Sequence, residues 1–355
     1  MKLFIPGPVD VREDILKQLS KPLISHRGKE ISSLQNNITA KLKIVMGTEN
    51  DIIISSSSGT GSMEMALRSL TLKKALIISN GSFGDRFYEI AKYNHIDADL
   101  HRFFDGEAIN SEILDKLLET DQYDTITVTH NETSTSVMNN LEQLSAVWKK
   151  YPKILVILDT VSSLGGVKID VDHYNIDACV SASQKALGLP PGISFISLSQ
   201  KAIQRMEQVG YKGYYLDLKR VYEMAQSKNQ YPSTPTISLM FALDYQLDYI
   251  LNEEGLENRF NRHLELAKYT RNWGKKYFEL LVKDGFQSHT VTTIKNIHNY
   301  DMSYLKEELK KSGYLFSEGY GKLKSETFRI AHMADRTLTE LKEYLARIEE
   351  IWQLS

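Results

Sequence analysis

The chain has 355 residues, 42 % of them hydrophobic, enough for a substantial core and more naturally divided between two domains than held in one. Its 43 basic and 45 acidic residues leave a formal net charge of −2 and are scattered rather than blocked, so no electrostatic footprint for nucleic acid or an anionic membrane stands out. No apolar stretch approaches the roughly 20 residues that span a bilayer, and MKLFIPGPV lacks the apolar region and small-residue cleavage site of a signal peptide; the expectation is a cytosolic protein that handles small molecules.

From about residue 50 to 200 short apolar, β-branched runs alternate with helical patterns. The runs are IIIS (52–55), ALIIS (75–79), TITVTH (125–130), ILVILD (154–159), ACVSA (178–182) and ISFISL (193–198). This alternation predicts a mostly parallel sheet covered on both faces. After the first run comes SSSSGTGS, and after that Met63, Ala66, Leu67 and Leu70 follow the spacing of a helix with one apolar face. Gly59 and Gly61 let backbone N–H groups approach an anion at that helix's positive end. Taken alone, such a turn serves equally as a plain strand-to-helix connection. It matches neither GxxxxGK[ST] nor GxGxxG, which argues against an ATPase or a Rossmann dehydrogenase.

NGSFGDRF (80–87) follows the second run as a loop and sets Phe83 at a strand's carboxyl end, where α/β sheets bind ligands. An aromatic there either stacks on a planar ring or packs on the core. THNETSTSV (129–137) closes the third run with hydroxyls that suit a cofactor or a helix cap. Asp159 ends a six-residue apolar run, where a partly desolvated carboxylate wants a cationic partner. Twenty-six positions on, Lys185 lies among apolar residues and Gly188, Pro190, Pro191 and Gly192. A lysine amine that condenses with an aldehyde, and an acid that keeps a pyridine nitrogen protonated, are the two groups pyridoxal phosphate needs.

Residues 235–283 read as long helices without a strand-like run, GYLFSEGYG and ETFRIAHM as a return to strands, and Leu338, Leu341, Leu345 and Ile348 as a closing amphipathic helix. The domain boundary is expected near residue 250. Arg329, in the strand-like ETFRIAHM, suits a substrate carboxylate or a salt bridge to a neighbouring Glu. The nine histidines show no metal-ligand spacing, and Cys179, the only cysteine, sits in an apolar run as a small buried hydrophobe. No metal site is expected.

In their order, IPGPVDV, LISHRGKE, SSGTGSMEMAL, NGSFGDRF, THNETSTSV, LDTVSSLGG, SASQKALGLPPG, YYLDLKR, YPSTPTISL and FRIAHM resemble a class V aminotransferase of pyridoxal-phosphate fold type I, over nearly the whole chain. The alanine–glyoxylate/serine–pyruvate branch is the most similar. The resemblance implies an α/β fold. Residues 1–14 would form an N-terminal arm, 15–250 a large domain with a mostly parallel seven-stranded sheet, and 251–355 a smaller α+β domain. It implies Lys185 as the lysine joined to the cofactor, Asp159 on the pyridine nitrogen, and Val161 and Phe83 on the two ring faces. Gly61, Ser62 and Gln184 would hold the phosphate, with Tyr231 and Thr234 reaching it from the second subunit of a homodimer, and Thr60 would bind the cofactor beside them. Thr133 would contact the cofactor, and Arg329 with Gly7 the substrate. Two features depart from the pattern: Phe83 stands where Trp is frequent, and Ala331 and Ala334 stand in a run usually like RIGHMG. Rival readings are a cysteine desulfurase, which needs a reachable thiol; a 2-aminoethylphosphonate aminotransferase using Arg329 and Arg27; and a catalytically silent partner-binding module.

Overall fold

A computed structural model describes residues 1–354. The apolar runs become one seven-stranded sheet: β1 (Asp51–Ser55), β2 (Ala75–Ser79), β3 (Ala98–Arg102), β4 (Thr125–Thr129), β5 (Leu155–Asp159), β6 (Ala178–Ala182) and β7 (Ser194–Leu198), in the spatial order β1-β7-β6-β5-β4-β2-β3. Only β7 runs antiparallel to its neighbours. Strands β2, β4, β5, β6 and β7 are buried along their whole length, which is why they read as continuous apolar runs instead of alternating ones. Strand β3 is absent from the runs read in the sequence: it is the edge strand, paired only with β2 and half-exposed, and ADLHR is accordingly polar.

Because β1, β2, β4, β5 and β6 point the same way, their carboxyl ends share one edge of the sheet. From that edge start helix α1 (Gly59–Leu70) after β1 and helix α2 (Ser82–Tyr93) after β2. Helix α1 begins inside the Ser/Gly motif rather than after it. Ser58 is its cap and accepts the N–H of Gly61 at 3.2 Å, so the serine that looked like loop satisfies a free amide of the first turn. NGSFGDRF is likewise no loop: Phe83 sits in the first turn of α2. THNETSTSV folds as a hairpin, Asn131–Glu132 against Val137–Met138, and caps α2, the Ser134 hydroxyl accepting the Ser82 N–H at 3.0 Å.

In the C-terminal part, α3 (Ile237–Asp248) passes through a π-helical turn (Tyr249–Glu254) into α4 (Leu256–Tyr277). The smaller domain follows as a four-stranded antiparallel sheet of β8 (Glu279–Leu280), β9 (Val291–Lys295), β10 (Ser317–Glu318) and β11 (Thr327–Ala331), in the order β8-β9-β11-β10. Strand β8 falls inside the stretch read as wholly helical, because two residues leave no period to detect. Helix α5 (Leu338–Trp352) closes the domain behind a capping box of Thr337 and Glu340. The N-terminal residues Lys2–Leu3 pair with Tyr314–Leu315, and Phe4 stacks on Tyr344 of α5 at 3.9 Å between centroids. The N-terminus is thus fastened to the small domain, and the next residues run back towards the carboxyl edge of the large sheet. Among the described residues no helix is long and apolar enough to cross a membrane.

Candidate active site

Lys185 lies in the loop after β6, 9 % exposed, and its amine donates to the carbonyl of Pro6. Gly7 has φ +114°, and a Cβ there would lie 2.9 Å from the lysine Nζ. Only glycine lets the N-terminal segment come this close. Burial first, then the charge of Arg329, pushes the amine down to about 8, against the pull of Asp159. Asp159, at the end of β5, is 4 % exposed and accepts the Val161 N–H at 2.8 Å. It has no salt-bridge partner among the described residues, and desolvation pushes it up to about 7. The Val161 N–H bond opposes that rise, and the nearby Glu132 adds to it.

Both groups line one cavity together with Ser58, Gly59, Thr60, Met63, Phe83, Arg86, Thr133, Val161, Ser162 and Gln184. Phe83 and Val161 therefore lie on the walls of the same space. Gly59 is required for that shape, since a Cβ on it would come within 2.7 Å of Val161 Cγ2. Thr133 and Ser162 hydrogen-bond to each other through their hydroxyls, and the buried Gln184 Oε1 has no partner. Gly61 and Ser62 follow the wall residues Gly59 and Thr60 in the first turn of α1. The Gly61 amide is occupied by Ser58, and the fully buried Ser62 hydroxyl is bonded to Ser194 at 2.6 Å.

Two residues here were not singled out in the sequence. Arg86 is one helical turn beyond Phe83 on α2, with its guanidinium carbon 4.5 Å from the Phe83 ring centroid and Nη1 3.1 Å from Thr60 Oγ1. Reading NGSFGDRF as a helix would have put positions i and i+3 on one face and revealed it. Glu132 is fully buried and accepts the N–H groups of Phe83 and Gly84, 3.0 Å each, along with the N–H and hydroxyl of Ser134. It caps α2 from across the sheet edge, and its desolvation raises its pKa.

Arg329 stands beside the cavity rather than on its wall. It is 7 % exposed and donates from Nε to the Glu318 carbonyl (3.2 Å), from Nη1 to the Thr133 carbonyl (3.2 Å) and from Nη2 to Ser317 Oγ (3.0 Å). Among the described residues no carboxylate pairs with it, and burial pushes it down to about 10. Tyr231 and Thr234 do not line this chain's own cavity: Tyr231 is buried with a partnerless hydroxyl, its carbonyl accepting from Arg27 at 2.7 Å, and Thr234 is exposed. Cys179 is fully buried in β6 and its thiol is pushed up to about 12, so the chain offers no reactive thiol at the cavity.

A depressed lysine amine, a buried carboxylate lacking a cation, two apolar walls and a helix N-terminus fit pyridoxal phosphate group by group, and with this sheet they define an enzyme of fold type I. The class-V aminotransferase family model matches residues 17–322, and the chain belongs to that family, whose members of this fold use pyridoxal phosphate. An uncharacterized aminotransferase of Methanocaldococcus jannaschii is 39 % identical over 98 % of this chain and 91 % of its own length. The L-aspartate–glyoxylate aminotransferase of Paracoccus denitrificans is 29 % identical over 94 % and 87 %. The crystal structure of an alanine–glyoxylate aminotransferase from Nostoc superposes with a TM-score of 0.92 at 28 % identity, covering 98 % of this chain and 94 % of that one. The substrates are accordingly small amino acids and 2-oxo acids.

Proposed function

We propose that this chain transfers the amino group of a small L-amino acid, of alanine or serine type, to a 2-oxo acid such as glyoxylate or pyruvate by a ping-pong mechanism in the cytoplasm. The observation that carries this reading is a buried arginine without a carboxylate partner, Arg329, beside a buried lysine and aspartate that share one cavity. When bound, pyridoxal phosphate supplies an electron sink for the charge left at the substrate's α-carbon.

The chain's own residues divide the remaining work. Arg329 holds the substrate carboxylate with its planar fork. Lys185 would hold the cofactor through its aldehyde, and the free Nζ would take the proton from the substrate's α-carbon. A pKa near 8 leaves a share of the amine neutral and able to accept it. Asp159 would keep the ring nitrogen protonated, and Phe83 and Val161 would flank the ring from the cavity walls. The N-terminal turn of α1, Ser58 and Gly59 with Thr60, Gly61 and Ser62, would hold the phosphate, with Gln184 beside it. Thr133 contacts the cofactor. Gly7 keeps the substrate side of Lys185 free of side-chain bulk. Tyr231 and Thr234 complete the phosphate site of the other protomer in a homodimer.

The test is the absorbance of purified protein loaded with pyridoxal phosphate, followed by separate additions of L-alanine, L-serine, L-aspartate and 2-aminoethylphosphonate. A band at roughly 400–430 nm from the lysine-bound cofactor should bleach with alanine or serine and return with glyoxylate. Lys185→Ala should never show that band. Bleaching only by the phosphonate, or no band with excess cofactor, sinks the proposal.

A further inference from the structure

Outside the cavity wall, the small domain sends one aromatic side chain onto the large domain. Tyr320 sits in the loop between β10 and β11, flanked by Gly319 and Gly321. That loop has little freedom to change shape. A Cβ on Gly319 would lie 2.2 Å from the Leu323 carbonyl oxygen, and Gly321 adopts φ +57° with its Cβ position 3.3 Å from Ser82 Oγ at the start of α2. The loop therefore docks on the helix that carries Phe83 and Arg86.

Tyr320 makes three contacts there. Its ring stacks on Phe83 with centroids 5.8 Å apart and planes at 25°. Its hydroxyl accepts from Arg86 Nη2 at 3.3 Å. Its ring centroid is 5.4 Å from the guanidinium carbon of Arg329. The Lys185 Nζ is 6.0 Å from the same Phe83 ring centroid. An amino acid whose carboxylate meets Arg329 and whose α-carbon lies near Lys185 must run along the edge formed by Tyr320 and Phe83.

We infer that Tyr320 is a specificity-determining residue: its ring walls the space between Arg329 and Lys185 and restricts the amino donor to a small side chain. This rests on the reading of Lys185 and Arg329 given above. The stack on Phe83 holds the ring from the large domain, with the Arg86 bond to its hydroxyl in support, so the wall stands whenever the two domains are in contact. A phenol ring in that position leaves room for the methyl of alanine or the hydroxymethyl of serine, and a branched four-carbon side chain collides with it.

The test compares the enzyme loaded with pyridoxal phosphate as wild type, Tyr320→Phe, Tyr320→Leu and Tyr320→Ala. Each is assayed for kcat/KM with L-alanine and with L-leucine, glyoxylate being the acceptor. Tyr320→Ala should raise the leucine-to-alanine ratio by about tenfold or more, the scale set by one or two methylene groups in a fitted pocket. Tyr320→Leu should fall between, and Tyr320→Phe, which keeps the wall, should stay within about twofold of wild type. A ratio unmoved in both Tyr320→Ala and Tyr320→Leu, in protein that retains the cofactor band and measurable alanine turnover, overturns the inference. So does a ratio that rises as much in Tyr320→Phe, since the ring would then not be the wall. A wild type that bleaches with neither alanine nor serine fails the underlying reading instead, and is told apart by that spectrum alone.

Discussion

At the scale of single residues, Asp159 is expensive in the cofactor-free protein. Its folded pKa of about 7 stands well above the ordinary 3.8, so its contribution to stability is full below about 3.8 and is lost as the pH rises through 7. Above that pH the cost approaches roughly 4 kcal/mol, counted at about 1.4 kcal/mol per pKa unit. Asparagine keeps the oxygen that accepts the Val161 N–H and carries no charge. Asp159→Asn should therefore melt higher than wild type without cofactor at pH 8. The gain should shrink through pH 6 and vanish near pH 4, while activity of the loaded enzyme falls by orders of magnitude. Thermal denaturation of the two apo proteins across that range decides it; equal melting temperatures at pH 8 would mean that the carboxylate is solvated after all. The sequence showed this residue through its pairing with Lys185, since a charge ending an apolar run, taken alone, serves equally as an N-cap or a surface salt bridge. Arg86 was hidden for the opposite reason: an arginine in a polar stretch resembles any other until the helix beneath it is known.

Among the elements, α2 shows how one buried side chain sets a cofactor wall. A helix leaves its first amides unpaired, and here Glu132 collects those of Phe83 and Gly84 on one carboxylate oxygen, with the Ser134 N–H and hydroxyl on the other. Glutamine has one acceptor where the carboxylate has two, so Glu132→Gln leaves donors facing a donor. We expect a loss of about 2–4 kcal/mol from the unmade bonds and a weaker hold on pyridoxal phosphate, on the order of tenfold, through the displaced Phe83. Denaturant unfolding and a cofactor titration at about 420 nm would measure the two effects; unchanged affinity with lowered stability would reduce Glu132 to a structural cap. The doubly buried strands were legible from composition, because a strand covered on both faces must be apolar throughout. Strand β3 was not, being a polar edge, and neither was α2's beginning, where Gly81, Ser82 and Gly84 read as loop punctuation although the backbone turns helical at Ser82.

For the molecule as a whole, the hardest features to read are those assembled from distant segments. Arg259 is fully buried and donates to the Gly165 and Ala186 carbonyls and to Glu254 and Asp335. It thereby binds the loop after Asp159, the Lys185 loop, the π-helical turn and the segment after β11, and no local spacing announces it. Tyr231 poses the same question between protomers. Its hydroxyl is buried without a partner, a condition that costs about 1–3 kcal/mol and that an acceptor outside the protomer would relieve, and Thr234 lies exposed three residues on. If these residues serve the other subunit's phosphate site, Lys185→Ala and Tyr231→Ala on separate chains fall together in a single site of a mixed dimer. A dimer with one chain of each kind then holds one doubly damaged site and one intact one. Random pairing makes half of the dimers mixed, so co-expression of two individually inactive variants should restore about a quarter of wild-type activity. Differently tagged chains, purified through both tags, would isolate the mixed species and should show about half of the activity per dimer. Activity no higher than that of the parent variants would place Tyr231 in the service of its own chain, where its ring already packs in the core beside the start of α3.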